Sequence, residues 1–190
     1  MEKFSTIVKE MKVVIFDMYG VINFGSGVSP TVLQALKTLR EDGKIVIILS
    51  NASFGSADAV SKYAKKGMSK GVYYDDVVTS GQFGYEAIQR GDVPVPGTTM
   101  YVFGTANFKR PEDKLPDLFK DSVYSVTEDM EKADFAYCGV PQIHGEDRMD
   151  INDFIPELEK IRKHNLEMVC ANPDLRANEG GKFVVRQGLI

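Results

Sequence analysis

The feature that most constrains the fold is the alternation of short, unbroken apolar runs with stretches whose apolar residues recur at helical spacing. Residues 12–17 and 45–50 are runs of the first kind, and the segment between them is of the second kind. Strands too apolar to alternate are typical of a parallel sheet covered on both faces. The sequence therefore predicts an α/β fold with βαβ units and a doubly wound, Rossmann-like parallel sheet.

The helix between these two runs has clear start and stop signals. Ser29 can cap its first turn, Pro30 suits the first helical position, and Gly43 ends it. A weaker helix follows the second run and ends at Gly67. The inward-facing residues predicted for the two helices are Val32, Leu33, Leu36 and Leu39 in the first, and Ala57, Val60 and Ala64 in the second.

The sequence after residue 76 predicts further strands, a linker and one more helix. Residues 77–78 read as a short third strand, and residues 91–98 are rich in turn formers and resemble a linker. Strands are expected at residues 100–103, 135–138 and 166–170. A helix is expected over residues 150–164, with one apolar face. That face comprises Ile151, Phe154, Ile155, Leu158 and Ile161.

Composition excludes some classes of function. The net charge of -4 and the pI near 5.3 give no general attraction to phosphate polyanions, and no Lys/Arg run exceeds two residues. We therefore expect no nucleic-acid role. No apolar run approaches the roughly 20 residues that span a bilayer, so we expect no membrane partner and a cytoplasmic location. The two cysteines, Cys138 and Cys170, end apolar segments and are interpreted as reduced, buried strand thiols; a disulfide, a metal site or a catalytic thiol are the alternatives.

Polar residues close three of the expected strands. They are Asp17, the pair Ser50-Asn51, and the stretch from Asn172 to Asp174. In open parallel sheets, ligands bind at the carboxyl ends of the strands. A carboxylate at such a position needs nearby amides and a cation to stay ionised, which makes Asp17 a candidate nucleophile. The alternative is that Asp17 only caps the following turn.

The segment after the first strand resembles the first motif of the haloacid dehalogenase-like (HAD) hydrolases, in which an apolar strand runs into Asp-x-Asp-Gly-(Thr/Val). Ser50 matches the second motif, a Ser or Thr that closes the next strand. Ser50-Asn51, residues 78–81 and residues 171–174 are similar to the NagD-like subgroup, in which an α/β cap is inserted after the third core strand. The resemblance implies a HAD core in residues 1–82, a cap in 83–167 and a return to the core in 168–190. The residues that carry the first motif are Phe16-Asp17-Met18-Tyr19-Gly20-Val21-Ile22.

The resemblance also implies roles for single residues. Asp17 would attack phosphorus to give an aspartyl-phosphate and would hold Mg²⁺ together with the backbone carbonyl of Tyr19. Ser50 would donate to the phosphoryl oxygens, and Asn51 would reach the substrate or the loop backbone. Further substrate-binding residues would be Met18 and Gly20, through backbone amides, and Asn172. Gly20 suits a close approach of that loop to phosphate, or simply a turn.

Two departures from the family pattern matter. Tyr19 replaces the aspartate that protonates the leaving oxygen and then activates water, work worth roughly 10²–10⁴ in rate. The family's third and fourth motifs, a Lys and an acidic pair, would lie well beyond Asp174, whereas this sequence ends at Ile190. We therefore expect an incomplete core with an unpaired first strand, in a fragment or in a protein whose partner or second copy covers that edge.

Two functions from different classes follow. The first is a Mg²⁺-dependent phosphatase for a small phosphorylated metabolite, weak or inactive as given. The second is a non-catalytic HAD-like module that binds a phosphorylated ligand or a partner protein. A receiver domain lacks the expected acidic pair beside the first strand, and a dinucleotide-binding fold lacks the required glycine spacing. The cap would select the substrate, and its candidate cleft residues are Gln82, Asn107, Lys109, Arg110 and His144.

Overall fold

The structure is a computed structural model that describes residues 4–24 and 27–190. Its chain divides into two compact units. The first contains residues up to Ser50 together with Phe54–Thr79, and the second contains Asn51–Ser53 together with Ser80–Ile190.

The first unit is built on a three-stranded parallel sheet in the order β1-β2-β3. Its strands are β1 (Val13–Asp17), β2 (Ile45–Ser50) and β3 (Asp76–Thr79). Its helices are α1 (Phe4–Ile7), α2 (Pro30–Glu41) and α3 (Ser56–Lys65). All three strands and both longer helices were predicted from the sequence.

Helix α2 forms where its capping signals predict. The Ser29 side chain accepts a hydrogen bond from the Val32 amide at 3.3 Å, and Pro30 occupies the first turn. Leu36 and Leu39 are buried against the sheet, and Gly43 leaves the helix with a φ of +75°. Only glycine adopts that conformation without strain, which is why the helix ends there.

Helix α3 buries a different face from the one predicted. Ala59 and Tyr63 are fully buried in the core, whereas Ala57 and Ala64 are exposed. The expected inward positions of Ala57 and Ala64 are therefore wrong. The buried face of this helix is therefore centred on Ala59 and Tyr63, with Val60 packed partly against the core.

One face of the three-stranded sheet is open. Alternate residues Val14, Val46 and Ile48 pack under α2 and α3, but the residues between them remain accessible. The expectation that these strands are covered on both faces is wrong for this sheet. We call the accessible side chains the open face: Val13 (45% exposed), Ile15 (60%), Ile45 (48%), Leu49 (51%) and Val78 (38%).

Strand β1 lies at the edge of this sheet, as the sequence predicts. It pairs with β2 in parallel from Val13 to Asp17, and within residues 4–24 and 27–190 no strand pairs with its other side. An unpaired edge presents a row of backbone donors and acceptors to any approaching chain.

The second unit contains a four-stranded parallel sheet in the order β5-β4-β6-β9 and two antiparallel pairs, β7-β8 and β10-β11. Its helices are α4 (Ser80–Arg90) and α5 (Ile155–Lys163). Its strands are β4 (Thr99–Phe103), β5 (Ser125–Val126), β6 (Phe135–Cys138), β7 (Gln142–Ile143), β8 (Glu146–Asp147), β9 (Met168–Cys170), β10 (Arg176–Glu179) and β11 (Lys182–Val185).

The central strand β6 is buried along its whole length. Phe135 and Tyr137 pack into one apolar cluster, in which Phe119 contacts Tyr137 edge-on with ring centroids 5.0 Å apart. Ala136 and Cys138 point into a second cluster that contains Phe154. This sheet therefore has the two-sided coverage that the unbroken apolar runs predict.

Predictions for the second unit are confirmed in part. Strands form at residues 99–103, 135–138 and 168–170. The helix expected over 150–164 is split, because a 3₁₀ turn at Ile151–Phe154 precedes α5. That change of period leaves Ile155 40% exposed, so its predicted inward position is wrong. Helix α4 and the β10-β11 hairpin were not predicted.

The unit boundary at Ser80 lies close to the predicted one after residue 82. Residues 168–190 group with the second unit, through the pairing of β9 with β6. Their assignment as a return to the first domain stays a prediction.

Candidate functional site

The candidate nucleophile and the candidate hydroxyl lie at the same end of neighbouring strands. Asp17 ends β1 opposite Leu49, and Ser50, one residue further along, ends β2 opposite Thr79. With strands about 4.8 Å apart and a rise of about 3.3 Å per residue, the Asp17 and Ser50 Cα atoms are diagonal neighbours roughly 6 Å apart. That Asp17 and Ser50 serve one ligand stays a prediction.

The two side chains differ in environment. The Asp17 carboxylate is exposed, whereas Ser50 is only 3% exposed and lies on the packed side of the sheet. The Met18 amide donates to Asp17 Oδ1 at 2.8 Å. This bond fixes the orientation of the carboxylate at the strand tip.

The loop after β1 uses its backbone groups to hold its own shape. The amides of Ile22 and Asn23 both donate to the Met18 carbonyl, at 3.1 and 2.8 Å, and the Gly20 amide donates to the Asn23 carbonyl at 2.9 Å. The Met18 and Gly20 amides are thus engaged within the loop. Their predicted hydrogen bonds to phosphate stay a prediction. To form them, the two amides would have to release their present acceptors within the loop.

Gly20 has a φ of +85°, and a Cβ added there would meet no atom within 4 Å. Its backbone conformation is the reason that a glycine is needed, because side chains disfavour this region. Of the two interpretations left open by the sequence, the structure supports the turn.

Tyr19, in place of the second aspartate, is 48% exposed. The Lys66 ammonium lies 5.4 Å from the centroid of its ring, within the range of a cation–π contact. Lys66 follows the end of α3, and its proximity to the strand tip was not predicted. It brings a positive charge close to the site.

Tyr63 is a second site residue that sequence reasoning missed. Burial raises the pKa of its hydroxyl to about 12, the neighbouring Ser50 side chain lowers it, and the charges of Tyr19, Tyr74 and Asp17 raise it further. Tyr63 therefore lies close enough to Ser50 and Asp17 for both to affect the pKa of its hydroxyl. Because Tyr63 is fully buried, it stays neutral.

The residues at this strand tip fit a magnesium ion, with two candidate protein ligands. Across the part of the chain that the structure describes, no three His, Cys, Asp or Glu side chains cluster as a metal site. Asp17 offers one carboxylate and Tyr19 one backbone carbonyl. Mg²⁺ is commonly held by one or two carboxylates, with water and substrate phosphate completing its six oxygen ligands.

The remaining predicted ligands, Asn51 and Asn172, belong to the second unit. The Asn51 side-chain amide donates to the Asp174 carboxylate, and the Asp174 amide donates to Asn172 Oδ1 at 2.8 Å. Asp174 thus positions both residues. The sequence marks residues 172–174 as a polar strand end, but it does not indicate that Asp174 positions its neighbours.

Several candidate cleft residues already have partners inside the second unit. Arg110 forms ion pairs with Asp113 at 3.1 Å and with Asp117, and the hydrogen bond to Asp117 raises the pKa of its guanidinium. The Asn107 side chain donates to Asp113 at 2.8 Å. The structure thus uses these two side chains to brace the loop, and their predicted contact with substrate stays a prediction, as do those of Gln82, Lys109 and His144.

A family model for haloacid dehalogenase-like hydrolases matches residues 14–115, which is more than half of the chain. The chain belongs to the haloacid dehalogenase-like hydrolases. This match covers β1, β2 and the loop that carries Asp17, Tyr19 and Gly20. A comparison with curated protein sequences returns no significant match.

Solved structures of HAD proteins share the fold. A haloacid dehalogenase-like hydrolase from Brucella suis aligns with a TM-score of 0.80 at 22% identity, over 100% of this chain and 64% of that protein. A putative NagD protein aligns at 0.64 and 21% identity, over 94% of this chain and 63% of that protein. The 4-nitrophenylphosphatase of Thermotoga maritima aligns at 0.62 and 22% identity, over 94% and 61%.

These comparisons confirm the predicted α/β fold and the likeness to NagD-type HAD proteins. The chain spans slightly less than two thirds of the length of these relatives. Among residues 4–24 and 27–190, no helix has both the length and the apolar character needed to cross a bilayer.

Proposed function

We propose that this HAD hydrolase is a phosphatase for small phosphomonoesters, acting through a covalent phosphoryl group on Asp17 with Mg²⁺ as cofactor. The observation that carries the proposal is an exposed carboxylate at the tip of β1, beside the end of β2, in the position where the family motif has its nucleophile. The similarity to a 4-nitrophenylphosphatase supports this class of substrate.

The first step follows from the orientation of the carboxylate. Because the Met18 amide holds Asp17 Oδ1, we assign Oδ2 as the attacking oxygen. It forms a bond to phosphorus as the bond to the alcohol oxygen breaks, and the departing oxygen takes a proton. Water then attacks phosphorus, releases inorganic phosphate and restores the Asp17 carboxylate.

Other residues of the chain would position the phosphoryl group. The Ser50 hydroxyl would donate to one phosphoryl oxygen. Asp17 and the Tyr19 carbonyl would hold Mg²⁺, which screens the repulsion between the carboxylate and the phosphate. The substrate contacts of Asn51 and Asn172, which belong to the second unit, stay predictions.

Tyr19 makes the second step slow. A phenol can protonate a leaving oxygen, but it keeps its own proton up to about pH 10 and is a poor base at neutral pH. Water is therefore activated weakly, and we expect the phospho-enzyme to accumulate.

The same residue favours a second candidate function, a module that binds a phosphorylated ligand or partner protein without turnover. A phenol in place of the general acid–base leaves binding groups in place while removing most of the catalysis. Turnover separates the two candidates, because both predict that the chain binds phosphate esters.

Hydrolysis of p-nitrophenyl phosphate in the presence of Mg²⁺ tests the proposal. We expect slow release of p-nitrophenol by the unchanged protein and none above background by Asp17→Asn. The matched control is Asp42→Asn, which removes a carboxylate at the end of α2 and is expected to leave the rate unchanged. Equal rates for the unchanged protein and Asp17→Asn would rule out the phosphatase proposal and leave the non-catalytic binding module as the candidate function.

A further inference from the structure

The two cysteines of the chain lie side by side in the four-stranded sheet of the second unit. Cys138 ends β6 and Cys170 ends β9, and the two residues are direct partners in the parallel register. Adjacent strands bring paired Cα atoms to about 4.8 Å, inside the range of about 4.4–6.8 Å that disulfides span. Paired residues in a parallel sheet also point to the same face. Both thiols are reduced in this structure.

The pair is asymmetric in a way that suits oxidation chemistry. Cys138 is buried at the centre of the sheet, whereas Cys170 is exposed on the edge strand β9. The expectation of two buried thiols is therefore wrong for Cys170. An oxidant can reach Cys170 directly, and Cys138 stands behind it as the only other thiol of the chain.

The surroundings of Cys170 also favour a reactive sulfur. Its thiol donates to the Asn172 carbonyl at 3.2 Å, and this contact positions the sulfur at the end of β9. Hydrogen bonding to the Cys138 thiol lowers the pKa of Cys170 to about 6, while the same interaction and burial raise the pKa of Cys138. The thiolate is the form that reacts with oxidants, and accessible thiolates next to a second cysteine are typical of redox-sensitive sites.

We propose that Cys138 and Cys170 form a reversible, hydroperoxide-sensitive dithiol. In the first step the Cys170 sulfur attacks one oxygen of the hydroperoxide and becomes a sulfenic acid. The O–O bond breaks, and the other oxygen leaves as water or an alcohol after taking a proton. In the second step the Cys138 sulfur attacks the Cys170 sulfur, and the sulfenic oxygen leaves as water with the Cys138 proton. Two thiols lose two electrons, and one hydroperoxide gains them.

The second step becomes easier once the first has occurred. Hydrogen bonding to Cys170 and burial raise the pKa of Cys138, so this thiol is protonated while Cys170 is reduced, and it gains an electrophilic partner only when Cys170 has become a sulfenic acid. The buried thiol therefore serves as the resolving group only after its neighbour has reacted. A dithiol treatment would reverse the bond by thiol–disulfide exchange.

The bond would act on the turn that follows β9. Oxidation takes the Cys170 sulfur away from the Asn172 carbonyl, the Asn172 side chain accepts from the Asp174 amide, and the Asp174 carboxylate accepts from the Asn51 side chain. Asn51 is a substrate-binding residue under the proposed function, so any effect on phosphatase activity depends on that proposal. The thiol chemistry does not depend on it.

The test treats the reduced chain with hydrogen peroxide, unfolds it in denaturant so that N-ethylmaleimide can reach any remaining thiol, and measures intact mass. The unchanged protein should lose two hydrogen atoms, take up no maleimide and yield a peptide that links the two cysteines. Dithiothreitol should restore uptake of two maleimides. Because Cys138→Ala could impair folding of the buried sheet, the main variant is Cys170→Ser at the exposed position.

Cys170→Ser should form no bond within the chain and should keep Cys138 reactive only on unfolding. In Cys138→Ala, if it folds, dimedone should trap a sulfenic acid at Cys170. The proposal is overturned if peroxide leaves both thiols of the unchanged protein open to maleimide, or if Cys170 oxidises to the same product with and without Cys138. A parallel assay with p-nitrophenyl phosphate shows separately whether the chain is a phosphatase.

Discussion

The two parallel sheets of this chain differ in how completely their apolar residues are buried. In the second unit, β6 is buried along its whole length, and its alternate residues enter two separate clusters. In the first unit, α2 and α3 cover one face of the sheet, whereas the open face and the outer edge of β1 remain accessible. The unit that carries Asp17 is therefore the less completely packed of the two.

The comparison separates two roles. The second unit encloses its own sheet, which suits a domain that keeps its shape whatever is bound. The first unit presents a chemical group at a strand tip and an apolar surface of the kind that proteins usually cover with another polypeptide. We propose that a second copy of this chain covers the open face.

The largest expected effect concerns the chemistry of the first unit. Tyr19→Asp restores a carboxylate that can act as general acid and base, so we expect turnover of p-nitrophenyl phosphate to rise by roughly 10²–10⁴-fold. Tyr19→Phe is the control and should not raise the rate. An unchanged rate in Tyr19→Asp would mean that the first unit lacks more than this one group.

Truncating one side chain in each sheet tests the packing contrast. Phe135→Ala removes a buried ring of β6 and should lower the free energy of unfolding by about 3–5 kcal/mol. Ile15→Ala, on the open face, should cost only about 0.5 kcal/mol. Urea unfolding followed by circular dichroism measures both, since the chain has no tryptophan. Similar costs for the two variants would contradict the contrast.

The open face should also make the chain associate with itself. Ile15→Lys places a charge at the centre of that face and should weaken self-association by roughly tenfold, as sedimentation velocity over a concentration series would show. Val123→Lys is the matched control, because Val123 is exposed in the second unit and lies outside the open face. Equal shifts in both variants would place the association elsewhere.

The smallest expected effect is a pH dependence of the first unit. Arg40 donates to Asp75 at 2.7 Å and lowers the pKa of that carboxyl, which also accepts from the Val46 amide at 2.8 Å. A lowered folded pKa stabilises above the ordinary pKa, and this stability is lost as pH falls through the folded value. Asp75→Asn should cost about 1 kcal/mol at pH 7.

This cost should shrink as the pH falls below about 4, where the unfolded carboxyl takes up a proton first, and should be gone once the pH has fallen through the lowered pKa of the folded carboxyl. Urea titrations of the unchanged protein and of Asp75→Asn at several pH values provide the measurement. A difference that stays constant with pH would mean that the charge of Asp75 does not contribute to stability.

Much of the first unit was predictable because its signals are local. Ser29, Pro30 and Gly43 bound α2, and unbroken apolar runs mark β1 and β2. The strand-end positions of Asp17 and Ser50 followed from the same runs. Neither the openness of one face nor the burial of Tyr63 could be predicted from the sequence, because both depend on residues distant in sequence.

Helix α4 shows a different limit of local reasoning. Gly81 and Gly84 lower its intrinsic propensity, so the sequence reads as a loop. The structure holds its first turn through the Ala52 carbonyl, which accepts from the Gly81 amide at 3.0 Å and from the Ser80 hydroxyl at 3.2 Å. A contact across so many residues has no local signature.

The central claim is that Asp17 becomes phosphorylated and, with Tyr19 beside it, loses the phosphoryl group slowly. Acid quenching after incubation with p-nitrophenyl phosphate and Mg²⁺, followed by peptide mass spectrometry, observes this directly. We predict a phosphoryl group on the peptide that contains Asp17, shorter-lived in Tyr19→Asp and absent in Asp17→Asn. No phosphoryl group on that peptide, or an equal amount in Asp17→Asn, would contradict the account.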